Sequence, residues 1–276
     1  MSAAEASGQT GAGVRAAEAP VHWPEALLDG LGLGLFMVAA GGFGTLLEAP
    51  ASPLHAALPD PLLRRGLMGV AMGLTALGLI TSPWGQRSGA HLNPAVTFTF
   101  YRLGRVRGRD ALAYALAQLL GGLLGTLAVA AVAGPAFLQP PVSGVATLPG
   151  EGGAGVAFAA EAAISFLLMS TVLALGRSPS LGRFTPFAAA ALVCLFIVAE
   201  APLSGMSMNP ARTLASALPA GRWDALWVYL TAPLLGMLGA AEVHRRLPGG
   251  PAGCAKLRHR RPCVFCDPVT TPGTAT

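Results

Sequence analysis

Apolar residues in this chain gather into long runs with almost no charges, each near the ~20 residues needed to cross a bilayer as a helix. The first run is Ala26 to Leu47, interrupted only by Asp29. Ala49 to Arg65 carries four prolines together with Asp60, Arg64 and Arg65, and reads as an external loop. The second run spans about Gly66 to Pro83 and the third about Ala111 to Ala133. A Pro/Gly-rich connector, Gly134 to Gly155, marks the middle of the chain. The fourth run, about Val156 to Gly176, carries Glu161, and a polar turn, Arg177 to Arg183, follows it. The fifth is about Phe184 to Ala201 and the sixth about Trp223 to His244. The pattern predicts an all-α membrane protein with six spans.

Two stretches between the runs break the pattern in the same way. They are Gly89-Ala90-His91-Leu92-Asn93-Pro94-Ala95 and Gly205-Met206-Ser207-Met208-Asn209-Pro210-Ala211. Each has a glycine four residues before an Asn-Pro-Ala triplet, and Thr97 or Thr213 two residues after it. Asn is a favoured N-cap, and Pro is tolerated at the first helical position because its missing N–H would be unpaired there. Each triplet therefore predicts a short helix, Asn93 to about Arg102 and Asn209 to about Leu218, preceded by an extended segment. Three spans and a half-helix, then the same again, make an internal repeat. Three is odd, so the halves must be upside down relative to each other, with the broken helices meeting near the midplane.

Composition agrees with the membrane reading. Charged residues make up 11% of the 276 residues, against about 25% in soluble domains. Mean hydropathy is +0.58. Glycine, at 36 residues, is roughly twice its usual share of about 7%, which suits close helix contacts in lipid. The net charge of +5 matters through its distribution and implies no nucleic-acid partner. With both termini cytoplasmic, all of the 18 Lys and Arg residues except Arg64, Arg65, Arg212 and Arg222 fall on the inner side. That is the bias of the positive-inside rule. Residues 1–24 lack an apolar core and read as a disordered tail, with 25–247 as the membrane domain and 248–276 as a flexible cytoplasmic tail.

Irregular backbone cannot face lipid, because each unsatisfied polar group there costs several kcal/mol. The segments before Asn93 and Asn209 must be buried or line a wet path, where their carbonyls become a ladder of acceptors. Two helix N-termini meeting at the centre place about half a positive charge each there. The cargo such a site favours is small, neutral and hydrogen-bonding, and cations, hydronium included, meet an unfavourable field.

On these residues the chain resembles the aquaporin, or major intrinsic protein, family over roughly Asp29 to Arg246. Ser88-Gly89-Ala90-His91 before the first triplet and Arg212 directly after the second also match the family pattern. The resemblance implies a homotetramer with one pore per protomer, and a passive channel rather than an enzyme, with no cofactor. It assigns Glu161 and Asp29 as acids that accept N–H bonds from the re-entrant loops, although the family norm in the first span is the longer glutamate. His91 reads as a structural histidine that contributes its carbonyl to the pore wall, rather than as a gate or metal ligand.

The family also places four residues at an outer constriction. Arg212 fills the arginine place, Met206 its loop neighbour and Ile197 the fifth-span place. The second-span place falls on Met72 or Gly73, depending on a one-residue shift near Pro83. That set is less polar than a strict water filter and lacks an aromatic pair. It points to water, with glycerol, urea and neutral metalloid hydroxides as further candidates. A secondary transporter also uses inverted repeats and broken helices, and a structural role without transport is a third reading. In the tail, Cys254, His259, Cys263 and Cys266 admit a metal site, a redox pair or simply a mobile basic flank.

Overall fold

The computed structural model describes residues 20–248, 254–258 and 265. Most of the two expected tails, with His259, Cys263 and Cys266, lies outside the described residues.

Among the described residues the chain is all helical. Six helices are long and apolar enough to cross a membrane: α1 (Trp23–Glu48), α2 (Pro61–Thr81), α4 (Gly108–Ala133), α5 (Gly153–Gly176), α6 (Thr185–Ala199, led in by a 3-10 turn from Gly182) and α8 (Leu226–Arg246). Between them lie the two half-helices, α3 (Pro94–Arg102) and α7 (Pro210–Ala220). Their starts follow from capping. Asn93 is extended and its Oδ1 accepts from Ala95 N at 2.8 Å. Asn209 does the same for Ala211 N at 3.1 Å and Arg212 N at 3.2 Å. Gly221, in the left-handed region at φ 63°, ends α7.

Two details differ from the sequence reading. The second span stops at Thr81, because Ser82 is extended and its hydroxyl caps a new turn of helix, Pro83–Ser88, by accepting from Gly85 N. A matching turn, Ala201–Ser204, precedes the second triplet, so each re-entrant segment leaves the helix only from its glycine to its asparagine. Arg64 is held by groups other than the nearby Asp60. Asp60 caps α2 through Leu62 N, while Arg64 Nε lies 3.1 Å from Glu48 Oε2 and its Nη1 donates to the Leu58 and Pro59 carbonyls.

The spans pack as α1 along α4, α5 along α8 and α2 along α6. At the first contact the backbones nearly touch: a Cβ on Gly121 would sit 1.9 Å from the Gly30 carbonyl oxygen. The second repeat uses the same device, with a Cβ on Gly236 meeting the Ala162 carbonyl at 2.3 Å. Lipid offers helices no hydrophobic reason to associate, so such close backbone approach is what holds them. Leu27, Leu31, Leu120 and Leu124 point outward, as a lipid-facing surface requires. Trp23, Trp84, Trp223 and Trp227 are half-exposed near helix ends, where amphipathic rings sit at a membrane interface.

The tail departs most from expectation. Rather than hanging free, Cys254–Arg258 and Phe265 lie against the first re-entrant segment, with Ala255, Leu257 and Phe265 buried.

Candidate functional site

The two re-entrant segments have the same unusual backbone. Gly89, Ala90 and Leu92 have φ of 97°, 54° and 51°, and Gly205, Met206 and Met208 have 82°, 53° and 54°. Left-handed backbone at a non-glycine costs of order 1–3 kcal/mol per residue and persists only where its surroundings over-determine it. Here a buried acid does so in each half. Asp29 Oδ1 accepts from His91 N at 3.0 Å and Ser88 Oγ at 2.8 Å, and its Oδ2 accepts from Leu92 N at 2.7 Å. Glu161 Oε1 accepts from Ser207 N at 2.6 Å and Ser204 Oγ at 2.8 Å, and its Oε2 accepts from Met208 N at 2.7 Å. The shorter Asp29 therefore reaches its loop, and Gln118 Nε2 adds a further bond to Oδ2 at 2.7 Å.

Sequence reading missed the next pair of supports. Ser88 and Ser204 accept from Ala90 N and Met206 N, each at 3.1 Å. Tyr114 and Tyr229 hydroxyls donate to the Ser88 and Ser204 carbonyls at 2.7 and 2.6 Å. The signal was there as repetition: each serine stands five residues before its Asn, and each tyrosine follows at nearly equal distance.

The half-helices meet at their N-terminal tips. Asn93 Nδ2 donates to the Met208 carbonyl at 2.6 Å, and Asn209 Nδ2 donates to the Leu92 carbonyl at 2.7 Å. Each amide nitrogen carries two hydrogens, so one N–H of each side chain remains for a guest. Both asparagines line a cavity of about 480 Å³. It runs from Glu48, Pro61 and Arg65 at one end, past Met72, Ile197, Met206 and Arg212, to Ile80, Ala90 and Leu257 at the other. Arg212 Nη1 is buried there without a hydrogen-bond partner.

Most residues expected at the pathway do line it: Ala90, His91, Leu92, Gly205, Met206, Ser207 and Met208 among the loop positions. Eight residues differ in detail. Gly73 faces α6, where an added Cβ would lie 2.8 Å from the Ala190 carbonyl, so of the two Met72 is the one that lines the cavity. The Gly89 carbonyl accepts from Leu257 N at 3.2 Å rather than joining the wall. The Leu92 and Met208 carbonyls already take one bond each from the asparagines, which leaves each one lone pair. Pro94, Ala95, Pro210 and Ala211 are buried at the helix starts and shape the tips without lining the cavity.

His91 is engaged at both ring nitrogens, by Thr97 Oγ1 at 3.0 Å and the Ala255 carbonyl at 2.6 Å, and it stacks on Phe100. A carbonyl only accepts, so Nε2 carries hydrogen there. Neither nitrogen is available to a metal. Among the described residues no group of three or more His, Cys, Asp or Glu stands close enough to hold one.

Six spans and two opposed, capped half-helices that close on a shared cavity define a polytopic membrane protein of inverted-repeat build. The family model for the major intrinsic protein matches residues 22–244, and the chain belongs to that family. Aquaporin NIP6-1 of Arabidopsis thaliana is 40% identical over 173 residues, 62% of this chain and 54% of that protein. A probable aquaporin of NIP type from Nicotiana alata is 35% identical over 178 residues, 63% of each. The chain thus matches less than two thirds of the length of these relatives. In structure it is similar to the aquaglyceroporin from Plasmodium falciparum, with a TM-score of 0.64, 22% identity, and coverage of 81% of this chain and 96% of that one.

Proposed function

We propose that the protein is a passive channel for water and small neutral solutes that excludes protons and ions. The crossed pair of asparagine amides carries this reading. Two donors, fixed by capping and by each other's loops, face one cavity at the tips of two helices. A water at that point accepts from both, so its own hydrogens are turned toward the two ends of the path and its neighbours are ordered in opposite senses. That breaks the relay a proton needs, and the two helix N-termini add a positive field of about half a charge each.

Selectivity then falls to Met72, Ile197, Met206 and Arg212. Three apolar faces and one guanidinium favour a solute with a hydrogen-bond acceptor on one side and a slim carbon or metalloid body on the other. Glycerol, urea and neutral metalloid hydroxides fit that description, and relatives named aquaporin support the channel reading. Asp29 and Glu161 hold the loops. The working unit is a homotetramer in the cell membrane with both termini cytoplasmic, which puts the basic loops on the inner side.

Stopped-flow light scattering on proteoliposomes tests the reading. Vesicles should shrink several times faster than empty ones under an impermeant osmolyte, and re-swell faster under glycerol or urea. The rate should be linear in gradient and indifferent to sodium and pH. Shrinkage no faster than in empty vesicles would refute conduction, and saturable, sodium- or proton-coupled uptake would indicate a transporter.

A further inference from the structure

The tail segment lies across the inner mouth of the cavity. Leu257 lines the cavity's inner end beside Ile80, Ala90 and His91. Its N–H donates to the Gly89 carbonyl, the Ala255 carbonyl accepts from His91 Nε2, and Lys256 Nζ donates to the Gln86 carbonyl at 2.5 Å. Phe265 sits 6.0 Å from both the His91 and Tyr114 rings and is 2% exposed. Ala255 is fully buried. Both of these backbone bonds go to the segment that leads to Asn93.

The first re-entrant loop does not need this contact to hold its shape. Asp29, Ser88 and Tyr114 bind it as Glu161, Ser204 and Tyr229 bind the second loop. On the opposite mouth the place beside Gly205 is taken by Thr147 and Leu148 of the connector. The connector is tied to a span at each end and cannot leave. Among the described residues the tail's cover is held by a few hydrogen bonds and a small apolar area. Contacts of that size are reversible, because each such bond is worth little net of its exchange with water.

We propose that Cys254–Leu257, with Phe265, is an intramolecular plug that closes the inner mouth and lowers conductance until it is displaced. The proposal rests on the channel reading above. Whatever binds or pulls the tail away opens the path, with Asn93 and Asn209 undisturbed.

The experiment compares three proteins in proteoliposomes at equal protein content: the full chain, a chain ending at Pro248, and the full chain with Leu257→Glu. A carboxylate at 257 would be forced into an apolar mouth and should lift the tail. Osmotic shrinkage should rise roughly fivefold or more in both variants, as expected when a mouth closed most of the time becomes open all of the time. Equal rates for all three, well above empty vesicles, would overturn the plug and leave the channel standing. No protein faster than empty vesicles would overturn both. Should the shortened chain fail to assemble, Leu257→Glu decides alone, and an unchanged or slower rate there overturns the plug.

Discussion

Replacing Glu161 by alanine should cost the protein its second re-entrant loop, and with it both assembly and conduction. The side chain is fully buried and accepts from Ser204 Oγ, Ser207 N and Met208 N. Alanine strands three buried donors at about 1–3 kcal/mol each. It also removes what holds Met206 and Met208 at positive φ. Together the losses reach several kcal/mol, and at roughly 2–4 °C per kcal/mol the melting temperature in detergent should fall by about 10 °C or more. Water flux per protein should drop toward that of empty vesicles. Glutamine should sit between, since its oxygen can still accept while its NH2 group faces a backbone N–H. Wild-type melting and flux in the alanine variant would refute the anchor.

If Arg212 bars cations as proposed, Arg212→Val should leave the fold intact and let cations through. Arg212 N still caps on Asn209 Oδ1 through the backbone, so the half-helix start survives. The guanidinium does not, and its Nη1 is a buried, unpartnered donor that lines the cavity with Met72, Ile197 and Met206. A cation passing roughly 6 Å from a unit charge at an effective permittivity of about 20 meets about 3 kcal/mol. Losing that should raise sodium or guanidinium leak by roughly a hundredfold, with larger neutral solutes admitted as well. Ion-sensitive dyes trapped in vesicles would report it. An unchanged leak and solute range would take the filter role away from Arg212.

Much of this was legible in the sequence because membrane physics restricts the choices. Nearly charge-free runs of span length, two Asn-Pro starts and a one-sided distribution of arginines leave little room for another fold. Helical phase was harder. One residue turns a side chain by about 100°, since a helix has 3.6 residues per turn. The unforeseen turn at Pro83–Ser88 hid that phase, so Met72 and Gly73 could not be separated from spacing alone. Glycine then proved to mark a helix contact rather than an opening. Asp29 looked one methylene short, and nothing local showed that its loop would lie within reach or that Gln118 would join it. The docked tail was the least visible. His91 and Ala255 meet across 164 positions, and a five-residue contact has no periodicity to betray it.

Under the proposed function, two asparagine amides crossed at the tips of opposed half-helices should pass water while breaking the proton relay. The direct test records both fluxes on one preparation, osmotic shrinkage by light scattering and proton leak by a trapped pH-sensitive dye. Shrinkage should be several times faster than in empty vesicles, with a proton leak no different from theirs. Fast shrinkage accompanied by a matching rise in proton leak, or shrinkage no faster than in empty vesicles even for a chain ending at Pro248, would overturn this reading.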